Sequence, residues 1–231
     1  CSGASICDYI YVLARSGPPE QRHGNLSFVL VPPTARGVTI SPIESLGMKG
    51  PMTTDVTFDD VEVPMEALMG GPDSWNRGWQ MLTGPGLDIE KLEVAAMGLG
   101  IAQAALDDAW DYAQQRTQFG KRIASYQSIQ HKLAAMAVNV YSSRLMLYHA
   151  AALANAHKPC SLETSMAKLQ GSECAKSVAL ESMTILGAYG YVKSFDVERY
   201  VRDALLMPII GGASAIQHNN IFKAMSRGAN R

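Results

Sequence analysis

At 231 residues, with 47% hydrophobic and 18% charged side chains, the chain can bury a sizeable core as one large domain or two small ones. A net charge of −1 with no basic block excludes the electrostatic footprint of a nucleic-acid binder or of a protein held to an anionic membrane surface, which leaves a small molecule or another protein as partner. No apolar run reaches the ~18 residues of a membrane span, and Cys1, Cys7, Cys160 and Cys174 have neither zinc-like CxxC spacing nor the density of a disulfide scaffold, so they read as ordinary thiols in a reducing compartment.

The first residues, "CSGASICDYIYVLAR", show neither a signal nor a transit peptide and read as a strand entered midway, so a portion of the protein is expected to precede them. From Asp8 to Pro64 the pattern is β: "DYIYVLAR", "LSFVLVPP", "GVTISPI" and "TTDVTFDDVEVP", separated by turns such as "SGPPEQRHGN". After "MGGPDSWNRG" the chain turns helical. A helix is predicted from Asp88 to Arg116, about 29 residues and roughly 40 Å long. A second spans Ser128 to His157, with Ile129, Leu133, Met136, Val140 and Leu147 on one stripe. A third spans Leu162 to Leu186 and closes at "GAYGY"; shorter helices follow at Val197 to Leu205 and Ser214 to Ser226. Long helices joined by short loops imply an up-and-down bundle. The predicted class is therefore α+β, with a strand unit over residues 1–66 and a helical bundle over 67–231.

The common catalytic signatures are missing: there is no P-loop, HExxH, GxSxG or strand-borne GxGxxG, and "GLG" at Gly98 to Gly100 lies within a helix, where it serves close packing. The five histidines lack ligand spacing, so no metal is expected. Asn25 in "NLS" matches a glycosylation acceptor by chance. Trp110 reads as core or interface. The stretch beginning at Gly84, "GPGLDIEKLEV", crowds Asp88, Glu90, Lys91 and Glu93 into one helix start. These charges are either a carboxylate site or an acidic cap on the helix dipole, worth about 0.3–1 kcal/mol.

"RTQFGKRIASYQSIQHKLAAMA", Arg116 to Ala137, resembles the signature of the acyl-CoA dehydrogenase family, in which R-x-Q-F-G-K ends one helix and F-Q-x-[VI]-Q opens the next. "LGMKGPMTTDVTFDDVEVP" looks like the end of that family's β-barrel-like middle domain. "GIAQAALDDAWDYA" is similar to the first helix of its four-helix-bundle C-terminal domain, and "YGYVKSFDVERYVRDALLMPIIGGASAIQ" to its last helical region. The resemblance covers essentially the whole chain and implies that the family's N-terminal helical domain is absent from it.

The resemblance implies FAD, an acyl-CoA thioester, α,β-dehydrogenation with hydride passing to flavin N5, and an electron-transfer flavoprotein as acceptor. It also implies a homo-oligomer, dimer or tetramer, in a bacterial cytoplasm or mitochondrial matrix. Many members carry the catalytic Glu in Y-E-G-T-S-E; here the phrase reads "IIGGASA", with Gly211 at that position. A branch including isovaleryl-CoA and long-chain dehydrogenases carries it instead in G-L-D-x-E-R, which "GLDIEK" matches with Glu90 as base and Asp88, Lys91 and Gly211 at the substrate. A small residue at 211 is then expected to leave room for Glu90. Arg116, Gln118 and Phe119 match contacts to the FAD of a neighbouring subunit; Gln127, in the phrase that resembles F-Q-x-[VI]-Q, and Gly187, Ala188 and Ser214 match further cofactor contacts. Lys91 replaces an Arg, keeping charge but not the planar fork, and Ala213 replaces a Thr that meets the cofactor. The alternatives are an inactive acyl-CoA or FAD-binding member, and an assembly subunit completing a partner's site.

Overall fold

A computed structural model describes residues 1–83 and 85–228; Gly84 and residues 229–231, which the sequence reading includes in its helix-start stretch and bundle, lie outside the described residues. The chain divides into two compact units, residues 1–86 and Leu87 onward.

In the first unit, β1 (Ile10–Arg15) pairs antiparallel with β2 (Leu26–Val31), from Ile10 opposite Val31 to Arg15 opposite Leu26. The connection cannot be a tight hairpin because Pro18 and Pro19 break the ladder. It closes instead through the Asn25 carbonyl, which accepts from Ser16 N at 2.8 Å, and through the Asn25 amide, which donates to the Pro18 carbonyl at 2.9 Å. Asn25 is 4% exposed, so its amide is spoken for and is no glycan acceptor. β3 (Val38–Pro42) pairs antiparallel with β4 (Thr54–Phe58). Residues 67–83, assigned to the helical unit from sequence, pack with the strands. Met69 N donates to the Phe28 carbonyl (3.0 Å), Asn76 N donates to Ser27 Oγ (2.8 Å), and Trp79, on α1 (Gly78–Leu82), stacks on His23 at 4.0 Å.

The second unit is built on α2 (Pro85–Gln115), α3 (Gln127–Asn155) and α4 (Ser161–Leu186), with α5 (Val197–Ala204) and α6 (Ser214–Gly228) packed on α4. The α+β class holds, and helix ends differ from those read in sequence by at most three residues. α2 and α4 run parallel: Asp88 meets Thr164 at one end, and the Tyr112 and Tyr189 rings approach to 6.1 Å at the other. α3 runs antiparallel to both, tied by Lys132 to Glu181 and by Arg144 to Gln103. Its buried stripe is Leu133, Met136, Val140, Ser143, Leu147 and Ala150, the register its periodicity predicts.

α2 approaches α4 closely because the residues between them are small. A Cβ on Gly98 would lie 2.6 Å from the Gly171 carbonyl oxygen, a backbone atom that cannot yield, whereas one on Gly100 would meet nothing within 4 Å. Gly98→Ala is therefore expected to cost about 1–3 kcal/mol by overpacking, while Gly100→Ala gains up to about 1 kcal/mol of helix propensity. Thermal unfolding of the two variants checks this; equal stabilisation by both would contradict the packing.

Candidate functional site

Two clusters of candidate side chains form at opposite ends of α2. At its start, Asp88 and Lys91 are three residues apart and share a face, and Lys91 Nζ donates to Asp88 Oδ1 at 3.0 Å. The first turn of α4 completes the group: Thr164 Oγ1 donates to Asp88 Oδ1 (2.9 Å) and Ser161 Oγ to Oδ2 (2.7 Å). Burial acts to raise the Asp88 carboxyl, but the hydrogen bonds from Ser161, Lys91 and Thr164 outweigh it and hold the group below its ordinary range. Lys91 is 8% exposed, with Asp88 as its counter-ion.

A folded-state value below the unfolded one means that Asp88 contributes stability above its unfolded value near 3.8 and loses it as pH falls through the folded value. Asp88→Asn is expected to lower stability by about 1–3 kcal/mol near neutral pH. The gap between the two proteins should narrow below pH 4; a gap unchanged at pH 3 would contradict the network.

Glu90 does not join that network. Two residues at about 100° each carry its side chain to the other side of the helix, where it is exposed and makes no hydrogen bond or ion pair among the described residues. One turn on, on the same side, Val94 is buried against the loop after α5. That loop carries Gly211 and Gly212 at φ of 58° and 81°, and the Gln217 amide donates to both their carbonyls at 3.1 and 2.9 Å. A Cβ on Gly211 would fall 2.8 Å from Val94 Cγ2. Left-handed backbone and the nearness of Val94 make a Cβ at 211 strained and crowded, so glycine suits this position.

Sequence reasoning missed Lys168, which lies beneath this loop. It is wholly buried, its Nζ donates to the Met207 carbonyl at 3.0 Å, and its Cε lies 3.8 Å from the place of a Gly211 Cβ. Ser172 Oγ donates to the same carbonyl, also at 3.0 Å. Burial pushes the Lys168 ammonium below the ordinary lysine range, while Glu173 and Glu90 oppose that shift. The legible signal was a polar series, Thr164, Ser165, Lys168 and Ser172, on the same stripe as the small buried residues of α4. Ser214 Oγ donates to Glu173 Oε1 at 2.8 Å, so the side chain read as a cofactor contact is engaged within the bundle.

The second cluster lies roughly 40 Å away along α2. β5 (Thr117–Gln118) and β6 (Lys121–Arg122) form a hairpin whose two-residue turn, Phe119 and Gly120, has φ of 51° and 81°, as a mirror-image turn requires. Phe119 is 92% exposed. Tyr126 braces the hairpin: its hydroxyl donates to the Gln118 carbonyl at 3.0 Å, and Lys121 Nζ sits 4.3 Å from its ring. The Arg116 guanidinium lies 5.7 Å from the Tyr189 ring, Gln127 is exposed at the start of α3, and Gly187 and Ala188 end α4 nearby with backbone groups alone to offer. A guanidinium fork, exposed amides and an exposed aromatic ring suit a dinucleotide that carries a pyrophosphate and flat rings, so these residues fit FAD. Trp110 is 53% exposed beside a groove of about 650 Å³ between α2 and α3, lined by Leu106, Gln114, Gln130 and Leu133, so it is not part of the core. Among the described residues no group of His, Cys, Asp and Glu could hold a metal, and no helix is long and apolar enough to cross a membrane.

The acyl-CoA dehydrogenase C-terminal domain matches residues 76–226, and the acyl-CoA dehydrogenase middle domain matches residues 1–61. An acyl-CoA dehydrogenase of Bacillus subtilis (strain 168) is 40% identical over 98% of this chain and 59% of its own length. The caffeyl-CoA reductase-Etf complex subunit CarC of Acetobacterium woodii is 36% identical over 93% of this chain and 55% of its own. The three-dimensional structure of butyryl-CoA dehydrogenase from Megasphaera elsdenii superposes with a TM-score of 0.89 at 31% identity, covering 97% of this chain and 57% of that one. The chain thus spans somewhat more than half the length of these relatives.

Proposed function

The chain belongs to the acyl-CoA dehydrogenase family, and from that premise we propose that it supplies the middle and C-terminal parts of an FAD-dependent enzyme that introduces an α,β double bond into an acyl-CoA, with Glu90 as the base. The observation that carries this reading is Gly211. It has no side chain to take a proton at the position the resemblance gives to the Glu of many members, and its positive φ and the approach to Val94 suit it to stay so, while "GLDIEK" offers a carboxylate on α2. Two other carboxylates lie close and both are occupied: Asp88 by Lys91, Ser161 and Thr164, and Glu173 by Lys176 and Ser214.

In this reading the thioester carbonyl acidifies the α-hydrogen and the Glu90 carboxylate removes it. An exposed carboxylate is a weak base in water; an acyl chain laid over it displaces that water and strengthens it. Asp88 and Lys91, bonded to each other and to the first turn of α4, brace the helix turn that carries Glu90. When bound, FAD supplies the acceptor for the hydride that leaves the β-carbon. Arg116, Gln118, Phe119 and Gln127 are too distant from Glu90 to serve the same flavin, so they would grip the FAD of a second copy, which makes the protein a homo-oligomer, a dimer or tetramer. An electron-transfer flavoprotein is the natural electron acceptor, in keeping with the Etf complex named for the Acetobacterium relative. Four free thiols suit a bacterial cytoplasm or a mitochondrial matrix.

The test is product analysis. The intact flavoprotein, given a set of saturated straight and branched acyl-CoAs and an artificial electron acceptor, is expected to yield a thioester lighter by two hydrogens. Recovery of every acyl-CoA unchanged would overturn the reading in favour of an acyl-CoA-binding or assembly role.

A further inference from the structure

Tyr126 stands immediately before α3, where Ser, Thr, Asp or Asn is favoured because a short side chain can accept from a backbone N–H of the first turn. Tyr126 makes no such bond. Its main chain alone serves the helix, with its carbonyl accepting from Ile129 N and Gln130 N at 3.0 Å each. Its side chain turns back instead over the β5–β6 hairpin, where three contacts meet on it. The hydroxyl donates to the Gln118 carbonyl at 3.0 Å, Lys121 Nζ lies 4.3 Å from the ring centre, and the Phe119 ring stands edge-on at 6.5 Å. One residue thus touches β5, the turn and β6.

The hairpin needs such a brace. A ribbon of two short strands is marginal in water, and a phenylalanine keeps a φ of 51° only where its surroundings over-determine it. Ile123 N, donating to the Arg116 carbonyl at 2.9 Å, closes the open end; Tyr126 holds the turn end. In the phrase F-Q-x-[VI]-Q that this stretch resembles, Phe takes the place of Tyr126 and has no hydroxyl to offer Gln118, so the bond is particular to this chain.

The geometry points to Tyr126 as a positioning residue for FAD: it holds the Phe119 turn in its left-handed form before the cofactor arrives, so that the hairpin meets FAD already shaped. The inference rests on the reading of Gln118 and Phe119 as FAD contacts. Its gain is preorganisation, since a contact segment ordered in advance takes nothing from the binding free energy for its own ordering. A brace of this kind acts on affinity through the turn, without touching the flavin itself.

The test is titration of the intact protein, stripped of flavin, with FAD, alongside the Tm of the stripped protein. Tyr126→Phe removes the hydroxyl and nothing else. It is expected to weaken FAD binding by about threefold to tenfold, the worth of one hydrogen bond, with Tm little changed. Tyr126→Leu, which also removes the ring under Lys121 and Phe119, should weaken it further. Phe119→Gly, which accepts the left-handed backbone without strain and removes the ring, should weaken FAD binding by itself. Adding Tyr126→Phe to Phe119→Gly should then cost almost nothing more, because the form being held has lost its contact. An equal loss in both backgrounds would mean that Tyr126 acts without the turn, and overturns the positioning role. So does a Tyr126→Phe protein that binds FAD as the wild type does, or one that only melts lower, while Phe119→Gly binds weakly; the hairpin then remains the FAD contact. Wild-type affinity in both Phe119→Gly and Gln118→Ala overturns the reading of the hairpin itself, and the role of Tyr126 with it.

Discussion

Replacing Glu90 with Gln in the intact flavoprotein is expected to lower kcat by about 10³-fold, within the range a lost general base costs, with KM for the acyl-CoA little changed. The substitution keeps size and hydrogen-bonding shape and removes the ability to take a proton. Because Glu90 is exposed and forms no hydrogen bond or ion pair among the described residues, Tm should stay near that of the wild type, which separates loss of chemistry from loss of fold. Glu90→Asp keeps the carboxylate but draws it back by one methylene, and should fall between the two. A Glu90→Gln protein with wild-type kcat would mean that the acidic start of α2 is only a dipole cap and that the proton leaves by another route.

The second large effect is expected at the other end of the same helix. Arg116→Ala should weaken FAD binding by about 10–100-fold, the worth of a charged, two-pronged hydrogen bond to pyrophosphate, measured by titrating apoprotein with FAD. Arg116→Lys, which keeps the charge and loses the planar fork, should recover part of the loss. The alternative role of Arg116, a cation at the C-terminal end of α2 resting on Tyr189, predicts a different pattern: a lower Tm and unchanged FAD affinity. The roughly 40 Å between Arg116 and Glu90 gives the experiment a further readout. If each flavin is gripped by one copy and served by the base of another, mixing Arg116→Ala with Glu90→Gln protomers restores activity to a fraction of sites.

The helical half of the fold was legible because its code is periodic. Ile129, Leu133, Met136, Val140 and Leu147 repeat at helical spacing, and all but the half-buried Ile129 are among the residues that α3 buries. The pair Gly98 and Gly100 read as packing glycines; Gly98 is one, against the Gly171 carbonyl, whereas Gly100 faces open space. Residues 67–83 were harder. Gly and Pro punctuation marks a break in structure, but nothing local says that Asn76 must donate to Ser27 or that Trp79 must stack on His23, pairings 49 and 56 residues apart (76 − 27 and 79 − 23). At the candidate site, Asp88, Glu90 and Lys91 stood out as a cluster. Their division into a bonded pair and a free carboxylate was also available, since 100° per residue puts Glu90 on the far side from Asp88. Lys168 was not visible as the anchor of the Gly211 loop, because its significance comes from a carbonyl 39 residues away (207 − 168) and from complete burial, which a lone lysine in a sequence never announces. The residue at 211 was singled out for its absent side chain, but the cause, a positive φ facing Val94, belongs to the tertiary structure.

The central claim, that Glu90 and a bound flavin act together on an acyl-CoA, is tested most directly by the visible spectrum of the intact protein before and after an acyl-CoA is added without oxygen. The expected result is a flavin spectrum that bleaches on addition in the wild type and persists in Glu90→Gln. A spectrum that persists in the wild type across straight and branched acyl-CoAs, or that bleaches equally in the variant, would contradict it.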